Sequence, residues 1–283
     1  MLDIRPEAGT LTDLLRDARE LGWVAANERM VRSWYTLGLI GAPRRNSLGQ
    51  GRGQLPATYS AEQRALFRAV VRKRLDGRRN SALAHIPIWA WLSFGDTWAD
   101  VAQIRRATRT ALGPLPPTRR AAVTASRMFT ASINVNRAPT QAVGRLNVVL
   151  TDLLLSGLEA RDLDRLHAAV SSVFEPHSAD ASAAAPLALI NVDAIVGSLK
   201  ARVLGAVKFA SLTDEQLDAV RLRHQAEWAQ YVSVAPNLAE QAGPDVAKLF
   251  ELSHQGLPVH EAVSTLILLV GLDVMVRDQG QIS

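Results

Sequence analysis

Glu28-Arg29-Met30-Val31-Arg32-Ser33-Trp34-Tyr35-Thr36-Leu37-Gly38-Leu39-Ile40, followed by Pro43-Arg44-Arg45, decides how the N-terminal part of this chain is read. The spacing predicts a short helix. Asn27 stands before it with a side-chain oxygen suited to capping, and Gly38 stops it where a left-handed residue is needed. Arg29 and Arg32 are three residues apart and so share one helix face. Met30, Val31, Trp34 and Leu37 can then turn the other way, into a core. A small helix that buries one face and offers arginines on the other suits a DNA major groove.

Working outward, Thr10 to Leu21 predicts a first helix, with Thr10 or Thr12 as cap, an apolar stripe of Leu11, Leu14, Leu15, Ala18 and Leu21, and Gly22 as its end. Two short helices joined by a tight turn make a helix-turn-helix. On the other side, Pro43 to Pro56 holds Gly49, Gly51 and Gly53 together with Arg44, Arg45 and Arg52, and reads as a hairpin or irregular wing. Tyr59-Ser60-Ala61-Glu62 opens a third helix capped by Ser60 and running to about Leu75. Leu66, Phe67, Val70 and Val71 face inward, and Arg64, Arg68 and Arg72 lie along another face. Asp76-Gly77-Arg78-Arg79-Asn80 breaks that helix. The segment 81–112, with Trp89, Trp91, Phe94 and Trp98, reads as one or two helices packed back onto the first three.

With these residues in place, the stretch 11–76 resembles the winged helix-turn-helix of the MerR family. That family's pattern is Arg-Thr-Leu-Arg-Tyr-Tyr-Glu-x-x-Gly-Leu-Leu, then a wing, then Tyr-Ser-x-Glu. Here Arg29, Arg32, Gly38-Leu39-Ile40, Arg44-Arg45 and Tyr59-Ser60-Ala61-Glu62 follow in the same order. Ser33 replaces the first tyrosine, Tyr35 replaces the glutamate, Ala57 stands where an arginine precedes the third helix, and the wing is long. The resemblance implies binding to double-stranded DNA by this region and says nothing of an effector.

Charge agrees with that reading. Residues 1–120 carry 20 Lys+Arg against 10 Asp+Glu, whereas the remaining residues carry 12 against 17. A basic module joined to a mildly acidic remainder suggests nucleic-acid binding linked to a partner or assembly domain. The chain has no cysteine, which removes disulfides, thiolate metal sites and cysteine nucleophiles. Asp3, Arg5 and Glu7 have no apolar run behind them, so no signal peptide is expected. The longest apolar stretch, Leu266 to Val276, contains Gly271 and Asp273; it reads as too short to span a bilayer and as a buried helix, with an interface between copies as the other reading.

Leu112-Gly113-Pro114-Leu115-Pro116-Pro117 is the expected domain boundary, giving a DNA-binding domain over 1–112, a proline-rich linker over 113–117 and a helical domain over 118–283. The fold class expected is mostly α: a winged helix-turn-helix followed by an all-helical C-terminal domain. Helices are expected near 118–134, 138–157, 160–174, 187–209, 213–233, 237–254 and 258–277, with a loop from His177 to Pro186.

Candidate DNA contacts are Asn27, Arg29, Arg32 and Ser33 on the helix, Arg44, Arg45 and Arg52 in the wing, Tyr59, and Arg72 and Lys73 in the basic run that ends the third helix. An arginine binds guanine O6 and N7 or holds phosphate, and wing arginines meet phosphate or the minor groove. The run through Arg72, Lys73, Arg74, Arg78 and Arg79 either tracks a backbone or is a solvated face. Trp23 and Trp34 read as core. His224 and Glu227 share a helix face without further ligands, His260-Glu261 lacks a second histidine, and Gly49-x-Gly51-x-Gly53 lacks a following Gly-Lys-Ser/Thr, so neither a metal nor a cofactor is expected. No catalytic constellation assembles, and an enzyme is not expected.

The expected function is sequence-specific double-stranded DNA binding by a transcriptional regulator, cytoplasmic and nucleoid-associated. A homo-oligomer, most simply a dimer, is expected because one short helix reads few base pairs. The C-terminal helices would carry self-association, a protein partner or a ligand pocket, with no membrane involved. The alternative is a DNA-architectural, recombination or segregation factor that bridges sites through its helical domain.

Overall fold

The computed structural model describes residues 6–45, 56–115, 117–133, 138–181, 192–241 and 257–280. These are mostly helical. The chain divides into two compact units, one formed within Met1–Ala111 and Leu257–Val263 and the other within Leu112–Gly256 and Ser264–Ser283.

The first unit begins with β1 (Gly9–Thr10), α1 (Leu11–Glu20) and α2 (Glu28–Thr36). Thr10 and Asp13 start α1 together. The Thr10 N–H and hydroxyl both donate to Asp13 Oδ2, at 2.7 and 2.9 Å, and hold that carboxyl below the usual range. Asn27 caps α2 by accepting from the Met30 N–H at 3.0 Å. Val31 and Trp34 of α2 are buried, while Met30 and Leu37 are half-buried. Trp34 stacks at a tilt between Trp23 and Phe67, with ring centroids 5.3 and 5.6 Å away.

β2 (Thr58–Tyr59) pairs antiparallel with β1, with Gly9 opposite Tyr59 and Thr10 opposite Thr58. Thr58 also exchanges two backbone hydrogen bonds with Arg44, at 2.7 and 2.9 Å, which joins the two ends of the Pro43 to Pro56 stretch. The interior of that stretch, 46–55, lies outside the described residues. Ser60 then caps α3 (Ala61–Leu75) through the Gln63 N–H at 3.2 Å. The region expected to hold one or two helices holds α4 (Asn80–Leu83), α5 (His85–Phe94) and α6 (Val101–Leu112). Leu14, Leu66, Phe67, Leu83, Ile88, Trp91 and Ile104 form the dry centre of this unit.

Two polar devices bind its layers. Asp17 of α1 is almost fully buried and accepts from Arg64 and Arg68 of α3. Gln63 accepts from the Gly41 N–H at 2.5 Å and donates to the Trp98 carbonyl at 2.5 Å and to Gln103 Oε1 at 2.9 Å, joining the loop after α2 to the start of α6. The segment 257–263 was expected only as the beginning of a late helix; it belongs to this unit, where the Trp89 indole N–H donates to the Leu257 carbonyl at 2.7 Å.

The second unit contains α7 (Arg119–Ala131), α8 (Thr140–Ser156), α9 (Ala160–Ala181), α10 (Val192–Lys208), α11 (Asp214–Gln241) and most of α12 (Ala262–Gly280). α7 and α8 are tied by Thr130 to Asn147 (3.0 Å) and Thr151 to Ser126 (3.1 Å). Two expectations are corrected. α9 continues to Ala181, through the first part of the loop expected from His177 to Pro186, the rest of which lies outside the described residues, and α11 runs unbroken through Pro236 where separate helices were expected. A proline in a helix interior removes one intrahelical hydrogen bond without obliging the helix to end.

By length and composition alone, the helical span Val259–Asp278 is long enough to cross a membrane, which the shorter apolar run Leu266 to Val276 is not. Packing accounts for much of its composition. Val263, Leu266, Ile267 and Val270 are buried, and Asp273 pairs with Arg223 and Arg277. Gly271 and Gly205 let α12 and α10 touch backbone to backbone. A Cβ on Gly271 would lie 1.7 Å from the Ala201 carbonyl oxygen, and one on Gly205 would lie 1.9 Å from that of Ile267.

Candidate nucleic-acid interface

α2 is anchored at one end and open at the other. At its C-terminal end the Leu37 carbonyl accepts from the Thr110 hydroxyl at 2.8 Å, and the Tyr35 carbonyl accepts from Arg106 Nε at 3.1 Å. The Arg106 guanidinium also lies over the Tyr35 ring, 4.6 Å from its centroid. Gly38 (φ +72°) fits directly against α6: a Cβ there would stand 2.4 Å from the Ala107 nitrogen and 2.6 Å from the Gln103 carbonyl oxygen. Its glycine is therefore required twice, by the left-handed backbone and by the approach of α6.

At the open end Asn27, Glu28, Arg29, Arg32 and Ser33 are all exposed. By the 3.6-residue period Arg29, Arg32 and Ser33 lie on the side of α2 opposite Val31 and Trp34, with Glu28 at its flank and Asn27 as the cap before the helix. Arg32 pairs with Glu28 at 2.5 Å, with side-chain exposures of 78% and 51%. Arg44 and Arg45 are exposed at the Arg44–Thr58 bridge. Among the described residues, Arg29, Arg44 and Arg45 have no acidic partner.

The other expected contacts divide. Arg52 lies outside the described residues. Tyr59 is a correction: it is only 7% exposed, and its phenol is pushed up first by burial and then by the Glu28 charge, so it is a core residue. Arg72 and Lys73 are exposed on the last turn of α3, where cations suit the helix dipole. Lys73 pairs with Asp76 at 3.1 Å, and Arg74 donates to the Arg78 carbonyl at 3.0 Å, so part of this basic run closes its own turn. Arg64 and Arg68, expected along a face other than the inward one, are committed to Asp17. Sequence reasoning missed the anchoring role of Arg106, Thr110 and Gln63. Nothing in the local sequence marks them, since Gln63 stands between Glu62 and Arg64 and Arg106 and Thr110 stand among Gln103, Arg105, Thr108 and Arg109.

Among the described residues, no cluster of three or more His, Asp or Glu side chains is arranged to hold a metal ion. In the second unit, a groove of about 670 Å³ between α8 and α9 is lined chiefly by apolar atoms, with Val148, Val149, Ala169, Arg145 and Arg165 among its lining residues. No family model, curated protein or solved structure matches this chain.

Proposed function

We propose that this chain is a sequence-specific double-stranded DNA-binding protein, most simply a transcriptional regulator acting as a dimer at the nucleoid. In this reading α1 and α2 form the helix-turn-helix of a MerR-like winged module, and the stretch joined at Arg44 and Thr58 is its wing. The observation that carries the proposal is the asymmetry of α2. Its C-terminal end is held by Arg106, Thr110 and Gly38, while its N-terminal turns hold out Asn27, Arg29, Arg32 and Ser33. Recognition helices contact base edges through their N-terminal residues, and reading a sequence requires a helix held rigidly from behind.

Arg29 and Arg32 are the proposed base-reading pair, and Arg44 and Arg45 the proposed phosphate contacts. The function is binding rather than catalysis. A dimer doubles the length of sequence read, and the helical second unit is the proposed seat of self-association or of a protein partner. Replacing Arg29 and Arg32 together by alanine is expected to abolish specific binding with the helical circular dichroism unchanged. Unaltered affinity for a selected duplex would end the proposal.

The exposed basic run of Arg72, Lys73 and Arg74 favours a second reading, an architectural, recombination or segregation factor held mainly by phosphate. Such a protein binds with a steep salt dependence and without an enriched motif.

A further inference from the structure

The exposed side of α2 is not uniformly basic. Glu28 opens the helix, and its Oε1 accepts from Arg32 Nη2 one turn further on. Both groups stand in solvent, so the pair is screened and opens readily. Arg29, one residue from Glu28, has no acidic partner among the described residues, so the carboxylate engages one of the two arginines on this side of the helix and not the other. The helix dipole favours an acid in this turn. On a surface that meets DNA, however, the same acid repels phosphate and occupies a guanidinium that would otherwise bind it.

Resting on the DNA-binding reading above, we propose that Glu28 is a specificity-determining residue that withholds Arg32 from phosphate and releases it where a cytosine and a guanine stand together in the major groove. The chemistry is complementary. A carboxylate accepts from the cytosine N4 amino group, and a guanidinium donates to guanine O6 and N7. At such a site each charge exchanges its partner on the helix for a base edge. At other sequences Glu28 meets acceptors or a methyl group, keeps Arg32, and adds repulsion toward the backbone. Discrimination then comes from the penalty at wrong sites as well as from the gain at the right one.

The test uses the full chain as wild type, as Glu28→Gln, and as Asp164→Asn, which removes one exposed negative charge from the second unit. Each is selected on a randomised duplex pool and then titrated against non-specific duplex over a range of salt. The expected result is that Glu28→Gln binds non-specific duplex about tenfold more tightly, with a salt slope steeper by about one. It also loses a cytosine preference at one motif position. Asp164→Asn changes neither, and all three proteins melt alike. A wild-type motif and wild-type non-specific affinity in Glu28→Gln overturn the role of Glu28 while leaving DNA binding intact. The same gain in Asp164→Asn overturns it in favour of overall charge. If the wild type binds no duplex, both readings fall together.

Discussion

Asp17 of α1 receives the guanidinium of Arg64 in a two-pronged contact, Nε to Oδ2 at 2.6 Å and Nη2 to Oδ1 at 2.9 Å, and takes Arg68 Nη1 on Oδ1 at 2.7 Å. Arg64 is thereby held charged more firmly than a free arginine, first through its hydrogen bonds to Asp17. The carboxylate is buried and joins α1 to α3, so the frame on which α2 rests depends on it.

Asp17→Ala leaves the Arg64 guanidinium without its buried carboxylate and leaves Arg68 with only the exposed Glu20, 3.4 Å from its Nη1. It is expected to destabilise the first unit by about 3 kcal/mol, the order seen when one partner of a buried pair is removed. Urea denaturation followed by tryptophan fluorescence checks this, and a loss near zero would mean that the clasp is ornamental.

The two left-handed glycines flanking α2 separate conformational cost from contact cost. Gly22 has φ +99° with nothing within 4 Å of the place a Cβ would take, whereas Gly38 has φ +72° with α6 against it. Gly22→Ala is expected to cost about 1 kcal/mol, from backbone conformation alone. Gly38→Ala is expected to cost about 3 kcal/mol or more, because the backbone of α6 must move. Equal losses in the two variants would contradict the close approach of α6.

How much of this was legible is clearest in these same residues. The caps Asn27 and Ser60 and the inward turn of Val31 and Trp34 follow from local spacing, and the structure has them. Gly38 was legible as a helix stop, but not as the seat of α6, because Gln103 and Ala107 are far away in sequence. Arg64 and Arg68 were legible as one helix face, but their partner Asp17 lies in another helix, and a one-dimensional pattern cannot say which arginines meet an acid. Tyr59 illustrates the same limit at the site itself, since a tyrosine beside a cap suits either surface or core and only packing decides. The return of 257–263 to the first unit left no local mark in the sequence.

His85 makes stability depend on pH. Burial, followed by repulsion from His260, lowers its pKa from 6.5 to about 4, against a smaller upward pull from the Val259 backbone. The unfolded chain therefore binds a proton below pH 6.5, while the folded chain binds one only near pH 4. The stabilisation by neutral His85 is complete above pH 6.5 and is lost as pH falls toward 4, amounting in full to about 3 kcal/mol. His85→Leu is expected to flatten the stability curve over this window, measured as the difference between the two proteins by denaturation at about pH 7 and about pH 4.5. Parallel curves would refute the assignment.

Arg44 and Arg45, if they hold phosphate, act alike on every sequence. Replacing both by alanine is expected to weaken specific and non-specific duplex binding by a similar factor and to lower the salt slope by about two. A change in the preferred motif without a change in slope would move these arginines from phosphate to base contact.

The central claim is that the exposed turns of α2 read DNA sequence. The measurement that tests it most directly is selection of a randomised duplex pool by the full chain at two salt concentrations, with the Arg29→Ala, Arg32→Ala double variant alongside. The account predicts an enriched two-fold symmetric motif for the wild type and its loss in the variant, which keeps only salt-sensitive, motif-free binding. Enrichment of the same motif by both proteins would contradict it.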